Sequence, residues 1–179
     1  MLNQLNRFSE KTQYHSQSIL VADVEIIEVT KLAEKAKWNE RFYKSYSGSK
    51  KKIAIDGLKE CRVFVAIYKG NELGYIRIHS VTNTFAKFYD GDVWAVSEGY
   101  VKPPYRSNGI LTLLRRFVVE NHNVKVLRIE TERYSKIHRY YSEQGFVLAY
   151  DVGDSNISII CLPEFYDAMW AYNNYHSKH

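Results

Sequence analysis

One handover constrains this chain more than any other. A strand-like run, Val93–Val101, meets a rigid Pro103-Pro104 corner and then an amphipathic segment. Apolar residues at Ile110, Leu111, Leu113, Leu114, Phe117 and Val118 predict a helix over 107–121, with Asn108 as its N-cap. Backbone N–H groups in the first turn of a helix have no partner within it, and the helix dipole makes the spot favourable for an anion. Gly109 allows close backbone approach to such an anion, and Arg106 adds a charge. The expected occupant is a phosphate-bearing cofactor.

The other elements alternate around this point. Val24–Val29 reads as a strand. Thr30 caps an expected helix at 31–46, whose apolar positions are Leu32, Trp38, Phe42, Tyr43 and Tyr46. A short helix is expected at 52–59. Arg62–Tyr68 and Leu73–His79 form a hairpin around the Lys69–Glu72 turn. Val124–Glu130 is a further strand, followed by a helix at 134–143 that ends at Gly145. Strands at Phe146–Tyr150 and Ile157–Leu162 flank Gly153-Asp154, and an aromatic-rich helix is expected from Pro163 to Tyr175.

Antiparallel strands thus come first and strand–helix–strand units later. That order predicts an α/β (α+β) fold with a mixed, largely antiparallel central sheet of six or seven strands and helices on both faces. The expected organisation is a flexible or loosely docked arm at 1–22, a domain at 23–162, and a terminal helix or tail at 163–179 belonging to the same domain.

With 179 residues, 45% hydrophobic and 25% charged, the chain reads as one soluble domain with a real core. No apolar run reaches the ~18 residues of a membrane span, and no charged leader precedes an apolar core. Cys61 and Cys161 are read as reduced, buried thiols, which points to the cytoplasm. The net charge of +5 is concentrated: residues 31–62 hold ten Lys or Arg against four Asp or Glu, while the remainder holds fifteen against sixteen. This excess, with Lys50-Lys51-Lys52, is either a solvated loop after a basic helix or a patch for an acidic partner or nucleic acid. Trp38, Phe42, Tyr43 and Tyr46 lie in the same stretch and could stack bases or fill a core.

Two stretches carry a family resemblance. Val101-Lys102-Pro103-Pro104-Tyr105-Arg106-Ser107-Asn108-Gly109-Ile110 is similar to the cofactor signature V-x-P-x-Y-R-x-x-G-x-G/A of the GNAT superfamily of acyl-CoA-dependent N-acetyltransferases. Arg139-Tyr140-Tyr141-Ser142-Glu143-Gln144-Gly145-Phe146 is similar to its F-Y-x-x-x-G-F ending. The element order matches from about residue 24 to 162. The resemblance implies a GNAT-like sheet whose fourth and fifth strands part to admit pantetheine. It puts the pyrophosphate of acetyl-CoA on the amides of Arg106, Ser107, Asn108, Gly109, Ile110 and Leu111, with backbone groups near Tyr100 and Val101 on the pantetheine arm. Leu111 stands where the family has a small residue, and would either crowd the loop or turn into the core. Tyr134 stands where many members have Asn.

Acyl transfer to an amine needs a neutral amine and a proton for the leaving thiolate. Tyr141 matches the family's general-acid tyrosine: a phenol with pKa ~10 can protonate a thiolate of pKa ~8.5. Tyr140, about 100° around the helix, is expected to face the core instead. Glu130 lies about where ribosomal-protein acetyltransferases carry a base, and Glu98 lies in the fourth strand, where other members carry one. His79, His122 and His138 have no ligand spacing with cysteine or with one another, so no metal is expected. The expected partner is an amine-bearing acceptor, an anionic small molecule or protein if the basic segment flanks the approach. A homodimer is left open, no membrane is expected, and nucleic acid is less favoured. The alternative readings are a non-catalytic binding module of the same fold and a protein acting on nucleic acid through residues 31–62.

Overall fold

The computed structural model describes residues 21–46, 55–121 and 126–177. Residues 1–20 of the expected arm, the Lys50-Lys51-Lys52 run and His122 lie outside the described residues. After a single 3-10 turn at Val21–Asp23 come β1 (Glu25–Val29), α1 (Leu32–Tyr46), α2 (Ile55–Lys59), β2 (Cys61–Tyr68) and β3 (Asn71–Ser80). Next are α3 (Thr82–Phe85), β4 (Val93–Val101), a 3-10 turn at Pro103–Tyr105, α4 (Ile110–Asn121) and β5 (Val126–Glu132). Then follow α5 (Lys136–Glu143), β6 (Val147–Asp151), β7 (Ile157–Cys161) and, after a 3-10 turn at Pro163–Phe165, α6 (Tyr166–His176). The short α3 has no counterpart among the elements expected from the sequence.

The seven strands form one sheet in the order β1-β2-β3-β4-β5-β7-β6. Among the described pairs only β4 and β5 run parallel. The β2–β3 turn has φ of 48° at Lys69 and 75° at Gly70, a two-residue turn whose twist matches the strands it joins. Strand alternation then sorts the core. Phe64, Ile76, Ile78 and Ile160 join Leu114 and Val118 of α4 and Tyr141 and Phe146 on one face. Val63, Val65, Tyr75 and Tyr100 meet Trp38 of α1 on the other.

Each helix is fixed by identifiable contacts. Lys35 of α1 is buried, and its Nζ donates to the Leu58 and Cys61 carbonyls, tying α1 to the end of α2. A cation there also suits the negative end of the helix dipole. Ser135 caps α5 by accepting from the His138 N–H at 3.0 Å. The same helix ends as expected at Gly145, φ 86°, with Phe146 N–H on the Tyr141 carbonyl and Gly145 N–H on the Ser142 carbonyl. Met169 and Ala168 of α6 are buried with Phe85, Cys161 and Phe165. Cys61 and Cys161 are both free and buried. Burial, with Glu164 nearby, pushes the Cys161 thiol up to about 11. Among the described residues no helix is long and apolar enough to cross a membrane.

Candidate active site

The site begins where β4 and β5 separate. They pair only over Val93–Val96 against Val126–Ile129. Beyond that, β4 continues to Val101 along β3, while β5 continues to Glu132 along β7. Ser97 sits at the divergence. Val96 pairs with Ile78 and Glu98 with Arg77, so Ser97 is the extra residue of a β-bulge. A bulge bends its strand and re-aims side chains. The result is a gap in the sheet that leaves one backbone edge of Ser97–Val101 without a β5 neighbour. An open cleft of about 1040 Å3 lies at this point, lined among others by Arg77, His79, Ser97, Glu60 and Glu132.

At the far end of β4 the chain turns through Pro103–Tyr105 to α4. Ser107 and Gly109 both have positive φ, 65° and 72°. A side chain at Gly109 would meet no atom within 4 Å, so this backbone borders open space. The Gly109 carbonyl accepts from the Leu113 N–H at 2.9 Å, which makes Gly109 the edge residue of the helix. The N–H groups of Ile110, Leu111 and Thr112 therefore precede the first intrahelical bond. The sequence expectation of an Asn108 cap needs correction. Asn108 Nδ2 instead donates to the Tyr105 and Arg106 carbonyls, each at 3.2 Å, closing the turn before the helix. Arg106 Nε donates to the Val101 carbonyl at 3.0 Å, and its guanidinium lies 6.0 Å from the Tyr100 ring centre. Arg106, Tyr100 and Val101 are thus brought together at the edge of the gap.

Leu111 turns toward the sheet. A Cβ built on Gly99 would come within 2.9 Å of Leu111 Cδ1, so the leucine occupies the space that glycine leaves on β4. Ile110 is buried in the core. Of the two outcomes open for Leu111, inward packing is the one observed. The loop combines positive-φ backbone at Ser107 and Gly109 with open space at Gly109, at the start of α4. Tyr134, φ 59°, is 86% exposed and stacks on His138 at 6.5 Å between ring centres.

Glu98 faces α1. Its Oε1 accepts from Asn39 Nδ2 at 2.9 Å and from Arg77 Nη2 at 2.7 Å, and its Oε2 accepts from the Tyr75 hydroxyl at 2.6 Å. Burial pushes its carboxyl above the ordinary range, against the opposing pull of Arg77, Tyr75 and Asn39. Arg77 is itself buried, and its Nε has no partner. The backbone of Glu130 is in β5 opposite Ile159, one residue past the last β4 pairing; its side chain lies outside the described residues.

Tyr141 is on the opposite face from Glu98, in the cluster with Ile110, Leu114, Ile129 and Phe146. Its ring is edge-on to Phe146 at 5.2 Å. The expected division between the tyrosines is reversed in burial. Tyr141 is 3% exposed, whereas Tyr140 is only half-buried. The reason is Thr112: its hydroxyl bonds the Tyr140 hydroxyl and holds that ring along α4. Burial raises the Tyr140 phenol, with Thr112 and Arg115 opposing.

Three cleft residues escaped the sequence reading as site residues: Arg77, His79 and Ser97. His79 Nδ1 and Ser97 Oγ are 2.5 Å apart. His79 carried a signal, a titratable side chain at a strand end, but it was weighed only as a metal ligand. The bulge that brings Ser97 to it arises from pairing between strands and has no local signature. The described cations of residues 31–62 mostly have partners. Lys37 and Arg41 approach Glu72, as does Lys102, and Arg62 makes a two-point contact with Glu28. Burial alone would raise the Glu72 carboxyl, but these cations hold it below its ordinary range. From that segment the cleft is lined by Gly57, Glu60 and Cys61. Trp38 is 2% exposed and tilts against Tyr75 at 5.0 Å, so it fills the core and offers no face to a base.

No family model matches the sequence, and no curated protein matches it. Solved structures do match the fold. A GNAT-family protein from Desulfovibrio desulfuricans is similar at 17% identity and a TM-score of 0.58, over 78% of this chain and 98% of that one. The PaiA N-acetyltransferase of Thermoplasma acidophilum, solved in complex with coenzyme A, is similar at 16% identity and 0.54, over 78% and 98%. The ribosomal-protein-S18-alanine N-acetyltransferase of Escherichia coli is similar at 16% identity and 0.53, over 78% and 93%. The chain therefore has the fold of the GNAT-family acetyltransferases.

Proposed function

We propose that this protein is an acyl-CoA-dependent N-acyltransferase that passes an acetyl or other short acyl group to a primary amine. The carrying observation is the parting of β4 and β5 immediately before a positive-φ loop and an open helix start. A thioester lying along the edge of Ser97–Val101 that β5 leaves would have its pyrophosphate at the N–H groups of Gly109 to Thr112. Bound there, the cofactor supplies an activated acyl carbonyl and a thiolate leaving group.

Tyr141 is the proposed general acid. It and Glu98 lie on opposite faces of the sheet, and the gap between β4 and β5 is where a group from each face can approach the same atom. Glu98 suits the role of an anchor for Arg77 better than that of the base, because three donors already occupy its oxygens. Glu130 remains a candidate base on its backbone position at the gap.

The acceptor is proposed to be an amine entering from the cleft. Its charge would be set by Glu60 and Glu132, since Arg77 is neutralised by Glu98. That lining favours a cationic amine over the anionic acceptor expected from the basic segment. The inward packing of Leu111 answers one of the two motives for a cofactor-free module, Tyr134 being the other. The burial of Trp38 answers one of the four aromatics offered for base stacking; the side chains of Phe42, Tyr43 and Tyr46 lie outside the described residues.

The test is release of free thiol from acetyl-CoA over a panel of amines, cationic and anionic. Tyr141→Phe is expected to lose about 100-fold or more in kcat, in line with removal of a general acid, with little change in KM for acetyl-CoA. Full activity in that variant would remove Tyr141 from the mechanism.

A further inference from the structure

Among the described residues lining the cleft, His79 and Ser97 form a hydrogen-bonded pair of an imidazole and a hydroxyl. His79 is paired across β3 with Cys61 of β2 on one side and Ala95 of β4 on the other. Its Nδ1 is 2.5 Å from Ser97 Oγ. Ser97 is the bulged residue at the point where β4 leaves β5, so its hydroxyl stands between the cleft and the gap. The other described titratable and charged groups lining the cleft beside the pair are Arg77, Cys61, Glu60 and Glu132. Arg77, two residues along β3, is paired with Glu98. Cys61 donates its thiol to the Gly57 carbonyl at 2.9 Å. Glu60 and Glu132 are exposed carboxylates on α2's end and β5, whereas Ser97 and His79 contact each other directly. The described residues of α3 add only Asn83 and Thr84, which do not titrate. Imidazole is the side chain that ordinarily changes charge between about pH 5 and 8.

We propose that Ser97 and His79 form the path that removes the acceptor amine's proton, with Ser97 as the residue touching the amine and His79 acting through it. This rests on the acyltransferase reading. The reacting nitrogen attacks as the neutral amine, having first given its ammonium proton to solvent. As it bonds to the acyl carbon, its surplus proton passes to Ser97 Oγ, and the Ser97 hydroxyl proton passes to His79 Nδ1. The carbon–sulfur bond then breaks, and the thiolate takes a proton from Tyr141. His79 returns its proton through the open cleft, and Tyr141 is reprotonated from solvent. Amide and free thiol are the only products, and no oxidant or second cofactor is consumed. Ser97 stays unacylated throughout.

The experiment measures kcat/KM against pH for the full chain with acetyl-CoA and its best amine, in wild type, Ser97→Ala, His79→Gln and Glu130→Gln. Wild type is expected to gain activity with pH along an acidic limb. His79→Gln is expected to abolish that limb and to lower activity about 100-fold. Ser97→Ala, which removes one hydroxyl and keeps the fold, is expected to fall by a similar factor. The double variant should be no worse than either single, as for residues acting as a unit. KM for acetyl-CoA should not move in any of these variants, which separates a proton path from a packing role.

An unchanged limb in His79→Gln, with loss of that limb in Glu130→Gln, would overturn the proposal and leave acyl transfer standing. Acetyl bound covalently at Ser97, seen by mass spectrometry after acetyl-CoA alone, would also overturn it. No thiol release by wild type with any amine would overturn both readings. Should His79→Gln fail to fold, Ser97→Ala decides the matter alone: unaltered activity and pH profile in that variant refute the path.

Discussion

A carboxylate sealed from water persists only with donors around it, and Glu98 has Asn39, Tyr75 and Arg77. Removing one side of such a buried pair leaves an uncompensated charge. Arg77→Met is therefore expected to cost about 3–5 kcal/mol in urea unfolding. The raised Glu98 carboxyl also fixes a sign for pH. The folded state holds its proton more tightly than the unfolded chain, so its contribution is full below about pH 4.3 and is lost as pH rises through the raised value. Wild type measured relative to Glu98→Gln is expected to lose stability as pH rises above about 4. A difference that stays flat over that range would mean that the ion pair with Arg77 fully offsets burial.

At the scale of elements, the contact between α4 and β4 decides whether the gap can exist. Leu111 fills the space over Gly99, and the two residues match in size as a pair. Gly99→Ala is expected to destabilise by about 1–3 kcal/mol through overpacking. Leu111→Ala in the same chain should recover most of that loss, giving a favourable coupling term in a double-mutant cycle. Additive losses would separate Leu111 from Gly99.

The same elements mark the limit of what sequence reveals. β4 is found over Val93–Val101 as expected, because its run is bounded by Asp90-Gly91-Asp92 before it and by Pro103-Pro104 after it. The α4 apolar stripe is legible too, yet the helix begins at Ile110, its first backbone bond running from Leu113 N–H to the Gly109 carbonyl. α3 has only four residues and too few turns to display a period. The bulge at Ser97 and the parting from β5 depend on partners in other strands, distant in sequence, and His79 acquires its neighbour only through them. Tyr141 was identifiable from its motif, but its burial relative to Tyr140 depends on Thr112, a residue of another helix.

For the whole molecule, the seven-stranded sheet is legible from element order, and its likeness to GNAT structures persists at 16% identity. Fold is retained because packing asks only for apolar residues of suitable size at alternating positions. Charge is distributed differently from what composition suggested. The described cations of the basic segment are largely engaged by Glu72, Glu28 and backbone carbonyls, while the cleft carries Glu60 and Glu132. On the proposed acyltransferase reading, acceptor choice would follow the cleft more than the net charge.

The central claim is that the β4–α4 junction holds acyl-CoA, and its most direct test is thermal unfolding with increasing acetyl-CoA. Wild type is expected to gain about 2.7 kcal/mol at 100 times the dissociation constant. Gly109→Val, which adds a side chain facing the open space at the helix start, is expected to lose most of that gain while costing about 1–2 kcal/mol in its free form from positive-φ strain. No stabilisation of wild type at about 1 mM acetyl-CoA would contradict the claim.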